Sequence, residues 1–170
     1  MAEPSKPGNG TAAAPPQLQV RVVGQYIKDL SFENPNVAKL AEGAPQDPQL
    51  KLEINVEPNK VGADLYESAL IFKAEASAKI GTIYQVELVY AGLFKIENAP
   101  AGALEPLLHV NCPALLFPFL RRLIADLTRE GGFPPLLLDP VDFGSLLMQK
   151  RQAMAGAGGV AGGSPGTMKA

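Results

Sequence analysis

The 170-residue sequence is 46% hydrophobic and carries 15 Lys and Arg against 17 Asp and Glu, a formal net charge of −2. That length suits one globular domain with a proper core, and no Lys/Arg stripe stands out for phosphates, which argues against nucleic acid as a partner. The lone cysteine, Cys112, excludes an intrachain disulfide framework and suits a reducing compartment.

The start, Met1 to Thr11, has a lone lysine and no apolar h-region, so it does not read as a secretory signal. No run approaches the roughly 18 consecutive apolar residues of a spanning helix. The expectation is a soluble cytoplasmic protein with no direct membrane insertion. Residues 1–15, rich in Pro, Gly and Ala, read as a disordered arm, and 155–170 as a flexible Gly/Ala-rich tail, leaving 16–154 as the folded domain.

Four stretches alternate apolar and polar residues with period two, the mark of strands with one buried face. The first sets Leu18, Val20 and Val22 against Gln17, Gln19 and Arg21. The second alternates Leu50, Leu52, Ile54 and Val56 with Lys51, Glu53, Asn55 and Glu57. The third, from about Tyr66 to Ala78, places Leu70, Phe72, Ala74 and Ala76 on one side, and the fourth, Thr82 to about Ile96, does so with Tyr84, Val86, Leu88 and Tyr90. Lys79-Ile80-Gly81-Thr82 is short enough for a hairpin turn, with Gly81 able to take positive φ, so strands three and four should pair antiparallel.

After Pro100 the period becomes helical, with Leu116, Phe119, Leu120, Leu123, Ile124 and Leu127 on one stripe. Asn111 is the expected N-cap, Pro113 falls in the first turn, Pro118 should kink the helix, and Gly131-Gly132 should end it. Phe133 to Val141, with three prolines, predicts an extended apolar connector, and Asp142 should cap a last helix through about Met154 carrying Phe143, Leu146 and Leu147. Strands first and helices after predict an α+β fold, a four-stranded antiparallel sheet with C-terminal helices on one face.

Catalytic chemistry has no obvious seat. His109, the single histidine, and Cys112 form a His-x-x-Cys pair that would share a helix face, a metal half-site or a partly buried structural pair, with no second cluster beside it. The glycines from Gly156 to Gly163 follow no strand and read as linker rather than phosphate loop. Asp139 and Asp142 fit an Asp-Pro turn and a helix cap better than a carboxylate pair. The expectation is a protein that is not an enzyme and takes neither metal nor cofactor.

Two features point to binding. Strands three and four are apolar on both faces, with Ile71, Ile83 and Val89 on the otherwise polar side: either scattered surface residues of a monomer or a second face for self-association. Leu136-Leu137-Leu138, in its Pro-bounded segment, either walls an apolar groove or is a buried crossover. Residue physics alone leads to an oligomeric α+β binding protein.

Three motifs carry a resemblance. Tyr26-Ile-Lys-Asp-Leu-Ser-Phe-Glu-Asn-Pro-Asn36, Asn111-Cys-Pro-Ala-Leu-Leu-Phe-Pro-Phe119 and Gly132-Phe-Pro-Pro-Leu-Leu-Leu-Asp-Pro-Val-Asp-Phe143 resemble, in order and spacing, the signatures of the SecB family. The likeness spans about Gln17 to Gln152. It implies an ATP-independent chaperone, a homotetramer built as a dimer of dimers, that holds unfolded secretory precursors in apolar grooves and delivers them to SecA, the ATPase of the Sec translocon. A chaperone dedicated to a toxin-antitoxin pair is the alternative within the fold.

The same resemblance implies site residues. SecA would dock on Asp29, Glu33 and Glu87, with Gln85 standing where relatives often carry an apolar residue. Tetramer contacts would involve Val86, Leu88 and Tyr90. The client-groove candidates are Leu52, Ile54, Phe119, Phe133, Leu136, Leu138, Phe143 and Leu147. The tail, ending Gly-Thr-Met-Lys-Ala170, departs from the acidic C-termini of relatives.

Overall fold

The computed structural model describes residues 14–43 and 45–157. Most of the arm expected at 1–15 and of the tail at 155–170 lies outside them. Four strands, β1 (Gln19–Glu33), β2 (Gln49–Gly62), β3 (Leu65–Ala78) and β4 (Gly81–Glu97), form one antiparallel sheet in the order β1-β4-β3-β2. A short helix, α1 (Val37–Leu40), interrupts the link from β1 to β2. The β3–β4 turn falls where the sequence predicts it, with Gly81 at φ +106°.

Two strands run further than their alternation suggests. β1 continues through the Tyr26–Glu33 motif by way of register shifts between Val22 and Gly24 and between Ile27 and Asp29, bulges that break a strict period of two. β2 continues past Glu57 with Pro58 inside it. The position is tolerated because β2 is an edge strand and the missing N–H can face solvent.

All helical mass after β4 lies on one face of the sheet. Leu70, Phe72, Val86, Leu88, Phe94 and Ile96 meet Leu108, Cys112, Leu116, Leu120 and Ile124 in a single core. The fold is α+β as expected.

The helix start differs from the expectation. Helical backbone begins at α2 (Leu104–Pro106), passes through a π-helical turn at Leu107–Asn111, and continues as α3 (Cys112–Glu130). Asn111 is therefore no N-cap: its φ and ψ are helical and its side chain caps nothing. Pro113, the apparent start signal, lies inside the run, and the wide turn is what accommodates it.

The Cys112 N–H bonds the Leu107 carbonyl, five residues back. The next bond in that register would need an N–H from Pro113, which has none. Ser68, fully buried on β3, fills the gap by donating its hydroxyl to the Leu108 carbonyl at 2.9 Å. Beside it, the backbone of Gly92, paired with Ser68, lets α3 approach so closely that a Cβ there would lie 2.7 Å from Leu116. Pro118 falls on the exposed side of α3, and the helix runs through it uninterrupted.

By length and composition alone, Leu104–Glu130 could cross a membrane; here its apolar stripe is the cover of the sheet. We predict that Ser68→Ala, which leaves the Leu108 carbonyl buried and unpaired, lowers unfolding free energy by about 1–3 kcal/mol. Urea denaturation of the variant measures this.

Candidate functional site

The connector between α3 and α4 (Phe143–Ala157) is extended from residue 134 to 142, as its prolines dictate. Its departure from α3 is fixed by hydrogen bonds from the Gly132 N–H to Arg129 and from the Phe133 N–H to Thr128, both 3.0 Å, with Gly132 at φ +87°; this is the Schellman pattern. Thr128, fully buried, then ties it down. Its hydroxyl oxygen accepts the Leu136 N–H at 2.9 Å while donating back to the Ile124 carbonyl at 2.9 Å. At the far end Asp142 caps α4 as expected, accepting the Ser145 N–H at 3.0 Å and the Ser145 hydroxyl at 2.7 Å. Those bonds hold its carboxyl below the usual range.

Held in this way, the connector borders two apolar clefts against the sheet edge. One, of about 640 Å³, is lined by Leu50, Ala76, Ile83, Tyr84, Phe133 and Leu136 together with Leu40, Pro45 and Pro48 of the β1–β2 link. The other, of about 270 Å³, lies between Leu52, Ile54 and Phe72 on the sheet and Leu138, Pro140 and Val141 on the connector. Leu52 is 48% exposed at its rim. Of the groove candidates, Leu52, Ile54, Phe133, Leu136 and Leu138 come together here.

The other three do not. Phe143 and Leu147 are buried beneath α4, Phe143 edge-on to Phe117 at 6.0 Å, and serve the core. Phe119 is 44% exposed but stacks on Tyr90 at 6.3 Å, on the β1 side of α3 and outside both clefts. Helical spacing alone could not separate Phe119 from Phe117, which is the buried one of the two. Leu50, Tyr84 and the three loop residues were not among the candidates; Leu50 was legible, being one alternation before Leu52.

The face of the sheet away from the helices carries its charged residues around a half-buried apolar centre of Ile71, Val89 and Leu93. Asp29 pairs with Val89 and Glu33 with Gln85, while Glu87 stands opposite Ser31. Directly paired residues share a face, so Asp29, Glu33, Gln85 and Glu87 gather on this open side across β1 and β4. Lys73 contacts Glu87 at 3.2 Å. Further along, Glu67 of β3 is 7% exposed, receiving Lys28 Nζ at 2.6 Å and the Tyr26 hydroxyl. Tyr26 and Lys28 reach it across β4, where Ala91 leaves room. The Tyr26 phenol is pushed up to about 12, first by its bond to Glu67, then by burial and by that carboxylate's charge.

Val86, Leu88 and Tyr90 require a correction. Their side chains point to the helices and are buried within one protomer, Val86 and Leu88 completely. As placed here they pack against the helices of their own chain. One exposed apolar patch lies on the helix side of β1, where Val20, Val22, Ile27 and Leu30 pair with buried β4 residues, α3 lies over β3 and β4, and Leu115 and Phe119 stand exposed on α3.

His109 and Cys112 do not form a reactive pair. Cys112 is buried against the sheet, which pushes its thiol up to about 12. His109 lines a separate cleft with Asn55, Val56, Leu147 and Lys150, its pKa lowered chiefly by burial. Among the described residues no cluster of His, Cys, Asp and Glu could hold a metal ion.

Comparison with known proteins bears on the family and the fold. The family model described as preprotein translocase subunit SecB matches residues 12–154. A protein-export protein SecB of Bradyrhizobium diazoefficiens is 46% identical over 156 residues, covering 91% of this chain and 97% of that relative. One from Rhodopseudomonas palustris is 48% identical over 144 residues, 84% of this chain and 90% of the relative. A SecB-like chaperone of Mycobacterium tuberculosis, solved with a peptide from the HigA1 antitoxin, has the same fold at a TM-score of 0.55 and 16% identity, covering 72% of this chain and 91% of its own.

The Tyr26–Glu67 bond makes a measurable claim. Because the phenol is raised from 10 to about 12 in the folded chain, its stabilisation is present below pH 10 and is lost as pH rises through 12. Glu67→Gln removes the carboxylate charge, and we predict that Tyr26 then titrates measurably closer to 10, read as tyrosinate absorbance against a Tyr26→Phe control.

Proposed function

The chain belongs to the SecB family of protein-export chaperones, and from that membership we propose a division of labour between its two faces: unfolded precursors are held along the connector, and SecA docks on the open side of the sheet. The observation that carries this reading is the pair of apolar clefts sharing the connector as a wall. A chain segment in extended conformation can lay apolar side chains into both.

Many such weak contacts, linked within one assembly, give high effective concentration without a sequence code. Clients are then recognised by exposed apolar segments, with no nucleotide consumed. Release comes from handover, SecA being held at Asp29, Glu33 and Glu87 while it takes the client. The setting is the cytoplasm, where precursors await export.

The assembly is a homotetramer. Support for self-association comes from the uncovered apolar side of β1, with Val22, Ile27 and Leu30 beside Phe119 of α3. Such a patch on an isolated protomer would be a liability in water. The toxin-antitoxin alternative is not favoured, since export relatives match at 46% identity and the antitoxin-bound chaperone at 16%.

Three outcomes are expected. Charge reversal at Asp29 and Glu87 weakens SecA binding about tenfold while uptake of an unfolded precursor is unchanged; equal loss of both would refute the division of labour. Light scattering coupled to size exclusion should give a tetramer that takes up unfolded but not folded precursor, and Ile27→Asp should reduce the mass of the particle.

A further inference from the structure

The open face is not uniformly acidic, and its lysines are placed unequally. Lys73 shares its contact with Glu87 at the surface, both side chains well exposed. Lys28 is different. The register shift between Ile27 and Asp29 turns it to the same side as Asp29, and the two line one cleft of the open face with Glu57, Glu67 and Val89. A free lysine next to Asp29 would neutralise it.

Glu67 offers that lysine another partner. Its carboxylate is largely buried, one oxygen 2.6 Å from Lys28 Nζ and the other holding the Tyr26 hydroxyl. Water screens this pair less than it would an exposed Lys28–Asp29 contact, so the ammonium stays on Glu67. Among the described residues Asp29 and Glu33 make no ion pair.

We infer that Glu67 is a positioning residue for docking: it withholds Lys28 from Asp29 and so keeps that carboxylate free for a basic surface of the partner. The inference rests on the docking reading above and names the electrostatic device behind it. Tyr26 serves the same end, because its hydroxyl fixes the carboxylate across β4.

The test is binding of purified SecA to the full-length chaperone at low salt. Glu67→Gln keeps the shape of the side chain and can still accept the Tyr26 hydroxyl, but releases Lys28; SecA affinity should fall about fivefold, with particle mass and precursor uptake unchanged. Adding Lys28→Met to Glu67→Gln should restore affinity, a rescue that simple damage to the sheet would not permit. Native affinity in Glu67→Gln, or no rescue in the double variant, overturns the inference.

Asp29→Asn runs alongside. If it binds SecA like the native protein, the docking reading itself fails; if it weakens binding while Glu67→Gln does not, only the role of Glu67 fails. Should Glu67→Gln not fold, Lys28→Met in the native background decides: SecA binding no weaker than native is expected, and a loss equal to that of Asp29→Asn overturns the proposal.

Discussion

One helix cannot cover four strands. An α-helix with its side chains is about 10–12 Å wide, and neighbouring strands stand about 4.8 Å apart, so α3 shelters two strands and the other two must find cover elsewhere. In this fold the two are the central pair, β3 and β4. The apolar side chains that alternate along the outer strands face the helix layer but are only partly covered by α3, whose Phe117 lines the cleft with Leu52 and Ile54 and whose C-terminal Gly131 meets Phe32. On β2 they meet the connector and α4, with gaps between; on β1 they meet little. The proposed client groove and the proposed association surface are two answers to the same shortage of cover.

How much of this was visible in the residues follows from which interactions are local. Period-two patterning is a property of single strands, and it located all four, the β3–β4 turn and the faces of Leu52, Ile54 and Leu88. The connector was equally legible because proline acts on its own backbone. What stayed hidden depends on neighbours distant in sequence. Pro113 looked like the first turn of a helix, since nothing nearby reveals that Ser68, on a strand far upstream, takes over the bond it cannot make. Nothing in the sequence marks Thr128, although its hydroxyl anchors the connector. Val86, Leu88 and Tyr90 were correctly apolar, but whether an apolar face meets a helix of the same chain or a second copy is decided by where α3 lies.

The bulge at Lys28 shows the same dependence on the polar side. A strict alternation would send Lys28 and Asp29 to opposite faces, and no motif of sequence announces otherwise. The shift brings both to the open side, where the sheet needs a buried carboxylate on β3 and a small residue, Ala91, on β4 to make use of it. Three strands thus cooperate to set the charge of a surface that no single motif specifies alone.

The strand order has a consequence for the newly made chain. β1 pairs along its whole length with β4, so Gln19 waits for Glu97 and Glu33 for Gln85, whereas β2, β3 and β4 join successive neighbours through short turns. Loop-closure entropy therefore places the β2–β3–β4 meander early and β1 late. During synthesis β1, made before the other three strands, is the last of the four to be seated. Until then the apolar residues of β1, Val20, Val22, Ile27 and Leu30 among them, stay unprotected, and a protein that shelters the unfolded chains of others begins as one of them.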